Sequence, residues 1–432
     1  MPNNFTSAQT KLVAKTILAG FESESVLMKS VNTQLLNEGG IDEPEYGGEI
    51  SFQRPMQFKA SETVDGDITA VPEQDLVWGK ATGTVQNVIT VHVGVNALDQ
   101  AIRARQLEQH LKPAYEELAT RVDKNLGAYM LRNSGVTIGT VGTPISTWKH
   151  VSNPKAFASS IGYPAGELQQ FVNPYSMAEL AAIQQGVSNM SSNLVQSAWE
   201  KAQVKSPVAG TMVASTDSLP NYTSGVLAGG SGTLSATPDA TYITHKDTMI
   251  QTLAVTGLTA STVNALRPGD VIEWTGTGAN ARSYVNIKTR EVFVDGAGAR
   301  VPFRQTVVAA ANTIAGGAAT IQVTPPALFG GSNGQYDNIS AALVSGDAFT
   351  IRGAANTVYK PNLAFHKQAF GIGFVDLPKL NSTDTVVVSE SGVSIRVSRG
   401  SQFLANKNLM RIDIVPAFVT FNPMLSMRTW GG

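Results

Sequence analysis

The chain has 432 residues, of which 42% are apolar and 15% charged, with 32 Lys+Arg against 33 Asp+Glu and no cysteine. The apolar content excludes disorder, and the charge balance leaves no basic excess for general phosphate neutralisation. Without thiols there is no disulfide, thiolate metal site or cysteine nucleophile; no apolar run reaches the ~18 residues of a membrane span, and MPNNFTSAQTKLVAK lacks the form of a secretory signal.

Residues 7–36 read as helical. Val13, Ile17 and Phe21 repeat at i, i+4, Gly20 marks a break, and Leu27, Val31 and Leu35 repeat again. So narrow a stripe, with Leu12 beside it, suits an arm on a partner as well as a helix on its own core. NEGGIDEPEY (37–46) breaks the pattern, and the period then falls to two. In GGEISFQRPMQFKAS (47–61) Ile50, Phe52, Met56 and Phe58 share a face; in TVQNVITVHVGV (84–95) Val85, Ile89, Val91, Val93 and Val95 do. The two runs predict a long hairpin about a polar tip, and Pro55 places it at an edge or in a protruding loop.

A strong helix follows. Pro113 suits its first position, Glu116 and Glu117 its first turn, and Leu118, Val122, Leu126 and Tyr129 form one face before the Asn133-Ser134-Gly135 stop. Residues 96–112 read as helical too. Residues 164–203 read as largely helical, with Ser176 and Glu179 as a capping box. From 224 to 352 short extended runs at 271–274, 284–287, 291–294, 305–309, 320–325 and 348–353 are separated by turns such as RPGD (267–270) and DGAG (295–298). This spacing predicts a small all-β sandwich or barrel. It holds eight basic and eight acidic residues, so it carries no electrostatic footprint for DNA or membrane. Strands at 394–398 and 409–421 follow an amphipathic stretch at 363–377. The order α/β, all-β, α/β suggests a β domain inserted into a host domain.

Motifs for chemistry are missing. His92, His110, His150, His245 and His366 show no metal-ligand spacing. GTGANA (276–281) has Ala281 in place of the third glycine and no helix after it. No nucleophile elbow or phosphate-binding P-loop occurs. Asp65 and Asp67 could begin a calcium loop, but Ala70 and Leu76 stand where Gly and Glu are needed. No catalytic residue, cofactor or metal is expected, and the protein is not expected to be an enzyme. An arm and a long hairpin make sense when neighbours cover them, and a low-charge surface favours association.

Four stretches carry a family resemblance: GGEISFQRPMQF (47–58), LKPAYEELATRVDKNLGAYM (111–130) with VGTP (141–144), ALRPGDVIEWTG (265–276) with YVNIKTREVFVDGAGARVPFRQTVVA (284–309) and ATIQVTPPAL (319–328), and VYKPNLAFHKQAFGIGFVDL (358–377) with 394–428. In order and spacing the chain resembles the major capsid (coat) proteins of tailed bacteriophages, of the P-22 type. The resemblance implies an α+β Hong Kong 97 (HK-97-like) capsid fold with an N-terminal arm, an extended β-hairpin loop, a long spine helix and an inserted all-β, barrel-like domain. The corresponding divisions are an arm (1–46), extended loop (47–95), spine helix and peripheral domain (96–155), first axial part (156–222), inserted domain (223–353) and final axial and peripheral part (354–432).

It also implies a structural function. Copies assemble as hexamers and pentamers into an icosahedral shell around double-stranded DNA, with sevenfold triangulation the family's usual outcome. The implied partners are the protein itself, a scaffolding protein and a portal protein, with room for a decoration or cement protein. DNA is enclosed without sequence-specific binding, and no membrane is involved. The shell forms as a procapsid in the bacterial cytoplasm, expands on packaging and becomes the virion capsid. Candidate inter-subunit contacts are Leu12, Ile17 and Phe21 on the arm, Arg54, Lys59 and Lys80 in or beside the loop, and Asp239, Lys246 and Asp247 on a charged loop of the inserted domain. Covalent crosslinking through Lys59 or Lys80 is not supported. On this reading, removing residues 1–36 should abolish assembly and leave the fold intact. The alternative is a β-rich surface or tail-associated binding protein, which would need repeats, a secretion signal or receptor-site aromatics. A hydrolase would need an acid/base constellation that the histidine spacing does not offer.

Overall fold

The computed structural model describes residues 1–432 apart from 1–4, 33–49, 97–106, 188–200, 277–280, 331–333, 381–383, 403–406 and positions 55, 70, 72, 165, 203, 205, 206 and 391. Its main helices are α1 (Phe5–Glu24), α2 (Leu107–Asn133), α3 (Trp148–Ile161) and α4 (Pro174–Val187). The strands begin with β1 (Ile50–Gln53), β2 (Lys80–Val85), β3 (Ile89–Asn96), β4 (Val136–Ile138), β5 (Leu168–Val172), β6 (Thr211–Ser215) and β7 (Tyr222–Thr223). Then come β8 (Ser231–Leu234), β9 (Gln251–Thr256), β10 (Val271–Trp274), β11 (Arg304–Val307), β12 (Ala319–Thr324), β13 (Ala348–Arg352) and β14 (Val358–Tyr359). The last are β15 (Asn362–His366), β16 (Phe370–Phe374), β17 (Asp384–Glu390), β18 (Val393–Gln402), β19 (Lys407–Ile414), β20 (Pro416–Thr420) and β21 (Ser426–Thr429). The chain divides into two compact units, and the class is α+β, as expected.

The first unit is Met1–Phe52, Thr82–Tyr129 and Phe370–Thr420. Its sheets run β1-β2-β20-β16 and β17-β18-β19-β3. α1 packs on β17 and β18 because its stripe is wider than the i, i+4 pattern alone suggested. Val13, Ala14, Ile17, Leu18 and Phe21 are all buried, which is the width of a core-facing helix. Phe21 meets Phe374 edge-on with ring centroids 6.1 Å apart. From α2, Leu118, Val122 and Leu126 are fully buried.

Asp413 locks the second sheet. Its carboxylate, fully buried on β19, accepts from Arg396 Nη2 on β18 (2.6 Å), Arg411 Nε (2.7 Å) and Thr90 Oγ1 on β3 (2.7 Å). Burial alone would raise the pKa of this carboxyl, but the hydrogen bonds from Arg411, Thr90 and Arg396 outweigh burial and hold it below the usual value.

Three expectations are corrected here. The extended runs pair as a hairpin only near the base of the loop, where β1 lies beside β2 and the Arg54 N–H donates to Gly79 O (2.8 Å). The second run divides: β2 also pairs with β20, and β3 pairs along its length with β19. The alternating pattern was real but could not name the partner strand. Second, Pro113 lies inside α2, which begins at Leu107, so the proline marks no start. Third, Ser176 caps nothing. Residues 168–172 are strand, and α4 begins at Pro174, where the Asn173 side chain accepts the Tyr175 N–H (3.1 Å). Parts of the helices expected over 7–36, 96–112 and 164–203 lie outside the described residues.

The second unit is Gln53–Ala81, Met130–Ala369 and Phe421–Gly432. It holds a five-stranded sheet, β4-β21-β15-β5-β6, together with a closed barrel, β10-β11-β12-β9-β8-β13. The barrel's strands alternate inward and outward, burying Leu253, Val255, Ile272, Trp274, Ile321, Val323 and Phe349. β8 and β9 are barrel strands that the sequence reading did not mark, whereas 284–287 and 291–294 form only isolated bridges.

A short neck joins barrel and sheet. β7 pairs with β14 where the chain enters and leaves the barrel. Asp270 accepts the Gly225 N–H (3.0 Å) and the Arg267 N–H (2.8 Å). Arg428 on β21 is fully buried; it donates to Gly269 O and to Thr306 Oγ1 and lies over the Tyr222 ring at 5.8 Å. Burial pushes the Asp270 carboxyl up to about 6, against the pull of those two N–H groups, Arg428 and Arg267.

These two carboxyls give opposite pH signatures. Asp413→Asn should cost about 3 kcal/mol, because it leaves buried guanidinium uncompensated, and chemical denaturation at neutral pH measures it. The wild-type stability from Asp413 is present above the unfolded pKa and is lost as pH falls through the lowered folded value. The Asp270 contribution is fully present below the unfolded pKa of ~3.9 and is lost as pH rises through about 6, a slope worth about 3 kcal/mol over that window. Asp270→Asn should flatten the denaturation midpoint between those pH values.

Candidate assembly surfaces

Between β1 and β2 the described residues of 54–79 form a loop held by its backbone. Arg54 is 5% exposed, donates to Phe421 O and Asp247 O (3.1 Å), and gives its own N–H to Gly79 O (2.8 Å). The Lys80 N–H donates to the Asp247 carboxylate (2.8 Å). Gly79 must be glycine here, since a Cβ would collide with the Lys246 carbonyl. Further out, Tyr336 donates to Val77 O (2.7 Å) and Gln335 to Asp75 O (3.1 Å). The two legs are joined by Gln74, whose amide both accepts from Lys59 N–H (2.7 Å) and donates to Lys59 O (2.6 Å).

Backbone anchoring frees the side chains. Phe58, Val64, Ile68, Leu76 and Trp78 are each more than half exposed, Val64 completely. Asp75 O also accepts the Val77 N–H (3.0 Å), a turn about Leu76 that leaves Leu76 and Trp78 exposed. Five large apolar side chains are thus exposed on one loop.

The turn that anchors the loop is itself built from the barrel. Asp239 accepts from the Thr241 N–H and hydroxyl (both 2.8 Å) and from Thr244 Oγ1 (2.6 Å). The Thr244 and Thr241 hydrogen bonds hold its carboxyl below the usual value. His245 bridges the carbonyls of Asp239 and Ile250, and the Gln251 amide donates to Asp239 O (2.7 Å). Gln251 in turn is bonded to Gln305, which accepts from Trp274 Nε1 (3.0 Å) in the barrel core. A buried polar chain therefore fixes the turn from inside.

The structure thus brings Arg54, Lys80, Lys246 and Asp247 together at the loop base. Lys59 sits further along the loop on the Gln74 rung, and Asp239 shapes the turn. The arm residues are in the first unit. Ile17 and Phe21 are fully buried in that unit's own core, while Leu12 is 65% exposed. Removing residues 1–36 would therefore strip the core of Val13, Ile17 and Phe21, and the fold is not expected to survive it. Asp123 was not singled out from sequence. Its buried carboxylate accepts the N–H groups of Val26 (2.7 Å), Leu27 (3.1 Å) and Met28 (3.2 Å), so α2 clasps the segment after α1. Burial raises its pKa against the pull of those three N–H groups and Lys29. Among the described residues no group of acidic, histidine or cysteine side chains could hold a metal ion, and no helix is long and apolar enough to cross a membrane.

Comparison with known proteins gives a whole-chain match. The family described as "P22 coat protein - gene protein 5" matches residues 1–428. A protein named "Major capsid protein", from Acyrthosiphon pisum secondary endosymbiont phage 1, is 34% identical over 431 residues, covering 100% of both chains. Among solved structures, one from Mycobacterium phage Che8 overlaps 94% of this chain and 90% of its own at a TM-score of 0.42 and 9% identity. The capsid of Ralstonia phage GP4 overlaps 93% and 89% at 0.42 and 7%.

The loop geometry is directly testable. Asp247→Ala removes the acceptor of the Lys80 N–H, and amide exchange at Lys80 should accelerate about fivefold, the scale of one net hydrogen bond, with the melting temperature little changed. Hydrogen-exchange mass spectrometry over 75–82 reads the effect.

Proposed function

The chain belongs to the P22 coat protein family and is a phage major capsid protein, a structural component of the virion, and from that premise we propose how it builds the shell. Copies assemble as hexamers and pentamers into an icosahedral container for double-stranded DNA, with sevenfold triangulation. Assembly takes place in the host cytoplasm around a scaffolding protein, with a portal at one vertex and a decoration protein as an optional later partner. The shell then expands as DNA enters. The host fold is the Hong Kong 97 type, with α2 as the spine helix, 156–222 and part of 354–432 in the axial domain, and 223–353 as the insertion.

The observation that carries this reading is the loop whose backbone is tied down while Phe58, Leu76 and Trp78 face solvent. A neighbouring subunit is the cover it fits. Leu12 at the exposed edge of α1 is a second contact, and the turn of Asp239, Lys246 and Asp247 offers exposed carboxylates for contact between capsomers. Individually weak contacts suffice, since many act together in a closed shell. The near-neutral net charge of −1 keeps the wall from holding its contents tightly.

Expression with and without the neighbouring scaffold gene, followed by negative-stain electron microscopy, tests the proposal. Uniform closed shells that depend on scaffold are expected; a monodisperse monomer or small oligomer under both conditions would overturn it in favour of a surface-binding role. The double variant Leu76→Ser/Trp78→Ser should leave the monomer's melting temperature within about 1 °C, as surface changes do, and should abolish closed shells.

A further inference from the structure

We propose that His245 is a proton-operated clamp on the turn between Asp239 and Ile250, closed when the ring carries both its protons and opened when it loses one, and that through this turn it sets how firmly the extended loop is held at its base. The ring ends the short helix Tyr242–His245 and is 7% exposed. Its Nε2 is 2.9 Å from the Asp239 carbonyl oxygen, six residues back, and its Nδ1 is 3.0 Å from the Ile250 carbonyl oxygen, five residues on. One side chain therefore spans the whole turn, with the exposed Ile243 and Asp247 between its two anchors.

Both contacts require a donor. A carbonyl oxygen has no proton, so each ring nitrogen must supply one, and only the imidazolium form has an N–H on both. Neutral imidazole, in either tautomer, points a lone pair at one of the two oxygens. Gln251 fixes the Asp239 end. Its Oε1 accepts the Ala327 N–H (2.9 Å) and Gln305 Nε2 (3.2 Å), which directs its own Nε2 to the Asp239 oxygen as a second donor (2.7 Å). So little of the ring is exposed that solvent does not relieve the mismatch while the turn stays closed, and the neutral ring lets go of one end.

The charge of the ring is met on its own turn. The Asp239 carboxylate interacts with it electrostatically, behind the Thr244 and Thr241 hydrogen bonds that hold that carboxyl below its usual value. Lys246 and Asp247 follow on the turn, and Arg54 of the loop donates to Asp247 O (3.1 Å). Tyr242 stacks on Tyr336, and burial pushes its phenol up to about 12, so it stays protonated throughout the neutral range. The barrel residues that hold the turn are neutral: Gln251, Gln305 and Thr324, whose hydroxyl donates to Met249 O (2.9 Å). Asp247, inside the clamped span, accepts the Lys80 N–H (2.8 Å), and the Lys246 carbonyl backs onto Gly79. A turn released at one end passes its motion to those two contacts. Imidazole gains and loses its proton between about pH 5 and 8, so the clamp is closed at the acid end of that range and open at the alkaline end.

The test is hydrogen-exchange mass spectrometry of the unassembled full-length chain from about pH 5 to 8, alongside an NMR titration of its histidine rings and the His245→Gln variant. Exchange is expressed as protection relative to the intrinsic rate at each pH, with β12 of the barrel as internal reference. Protection over 75–82 and 239–250 should fall about tenfold across the range, the scale of one charge-assisted hydrogen bond, while that of β12 holds. The midpoint should coincide with the titration of the ring signal that His245→Gln removes. The variant should show low protection in both segments at every pH. Nuclear Overhauser contacts to the Gln251 amide assign the ring in the wild type, so the comparison of midpoints stands even if the variant does not fold. Wild-type protection that ignores pH, a pH dependence that survives in His245→Gln, or a midpoint away from the ring titration would overturn the clamp. Each measurement is made on the single chain, so none of these results bears on whether the chain forms shells.

Discussion

The buried guanidinium of Arg428 sets the terms for the second unit. A domain inserted into a sheet protein must leave and re-enter without opening the host, so the crossing point has to be closed by something stronger than two paired residues. Here the last strand of the host sheet supplies a charge that cannot reach water. Among the described residues it donates to Gly269 O and Thr306 Oγ1, lies over the face of Tyr222 and feels the charge of Asp270, all contributed by the neck and barrel. Burying such a group is costly unless its partners stay in place, so the arrangement penalises any tilt of the barrel against β21. Arg304 repeats the device, donating to Glu273 within the barrel (2.6 Å) and to Thr137 O on β4 (2.7 Å). The barrel is therefore fastened to the sheet from two strands at once.

That rigidity reaches the loop. The chain Trp274–Gln305–Gln251 runs through the barrel core to the 239–247 turn, and the turn holds the loop base through Asp247 and the Lys246 carbonyl. The loop's exposed apolar face is thus set by hydrogen bonds between main chain and neighbouring side chains, not by packing of its own side chains. A surface presented in this way can change its apolar residues without losing its position.

The fold was legible in sequence where one period ran long enough, or where turns recurred. VIEW (271–274) is β10, and the barrel follows from short strands at regular spacing. The face of Leu118, Val122 and Leu126 is buried as its period requires. Pairing between distant strands was not legible. Val91 and Val93 show an alternating face, but nothing in them says that the partner is β19, more than 300 residues away. Local capping signals also lost to stronger neighbours, as Ser176 did to Asn173-Pro174. Among the candidate contacts, the sequence named Arg54 and Asp247 separately, and could not show that they bond to one another within the chain. Asp123, Arg428 and Asp270 carried no sequence signal, since a buried charge is defined by partners that only the fold supplies.

Closure of the six-stranded barrel has one more consequence. In a shell of identical chains, any open strand edge would be repeated on every copy at high local concentration, and edges are templates for unwanted pairing. The barrel strands pair around the full circle and leave no such ladder. Its turns are free to vary instead: around Gly296, in the 295–298 turn, a side chain would meet open space. Lengthening that turn, in evolution or by grafting a peptide for display, adds a loop and no edge, so the module can diversify its surface without making the particle sticky.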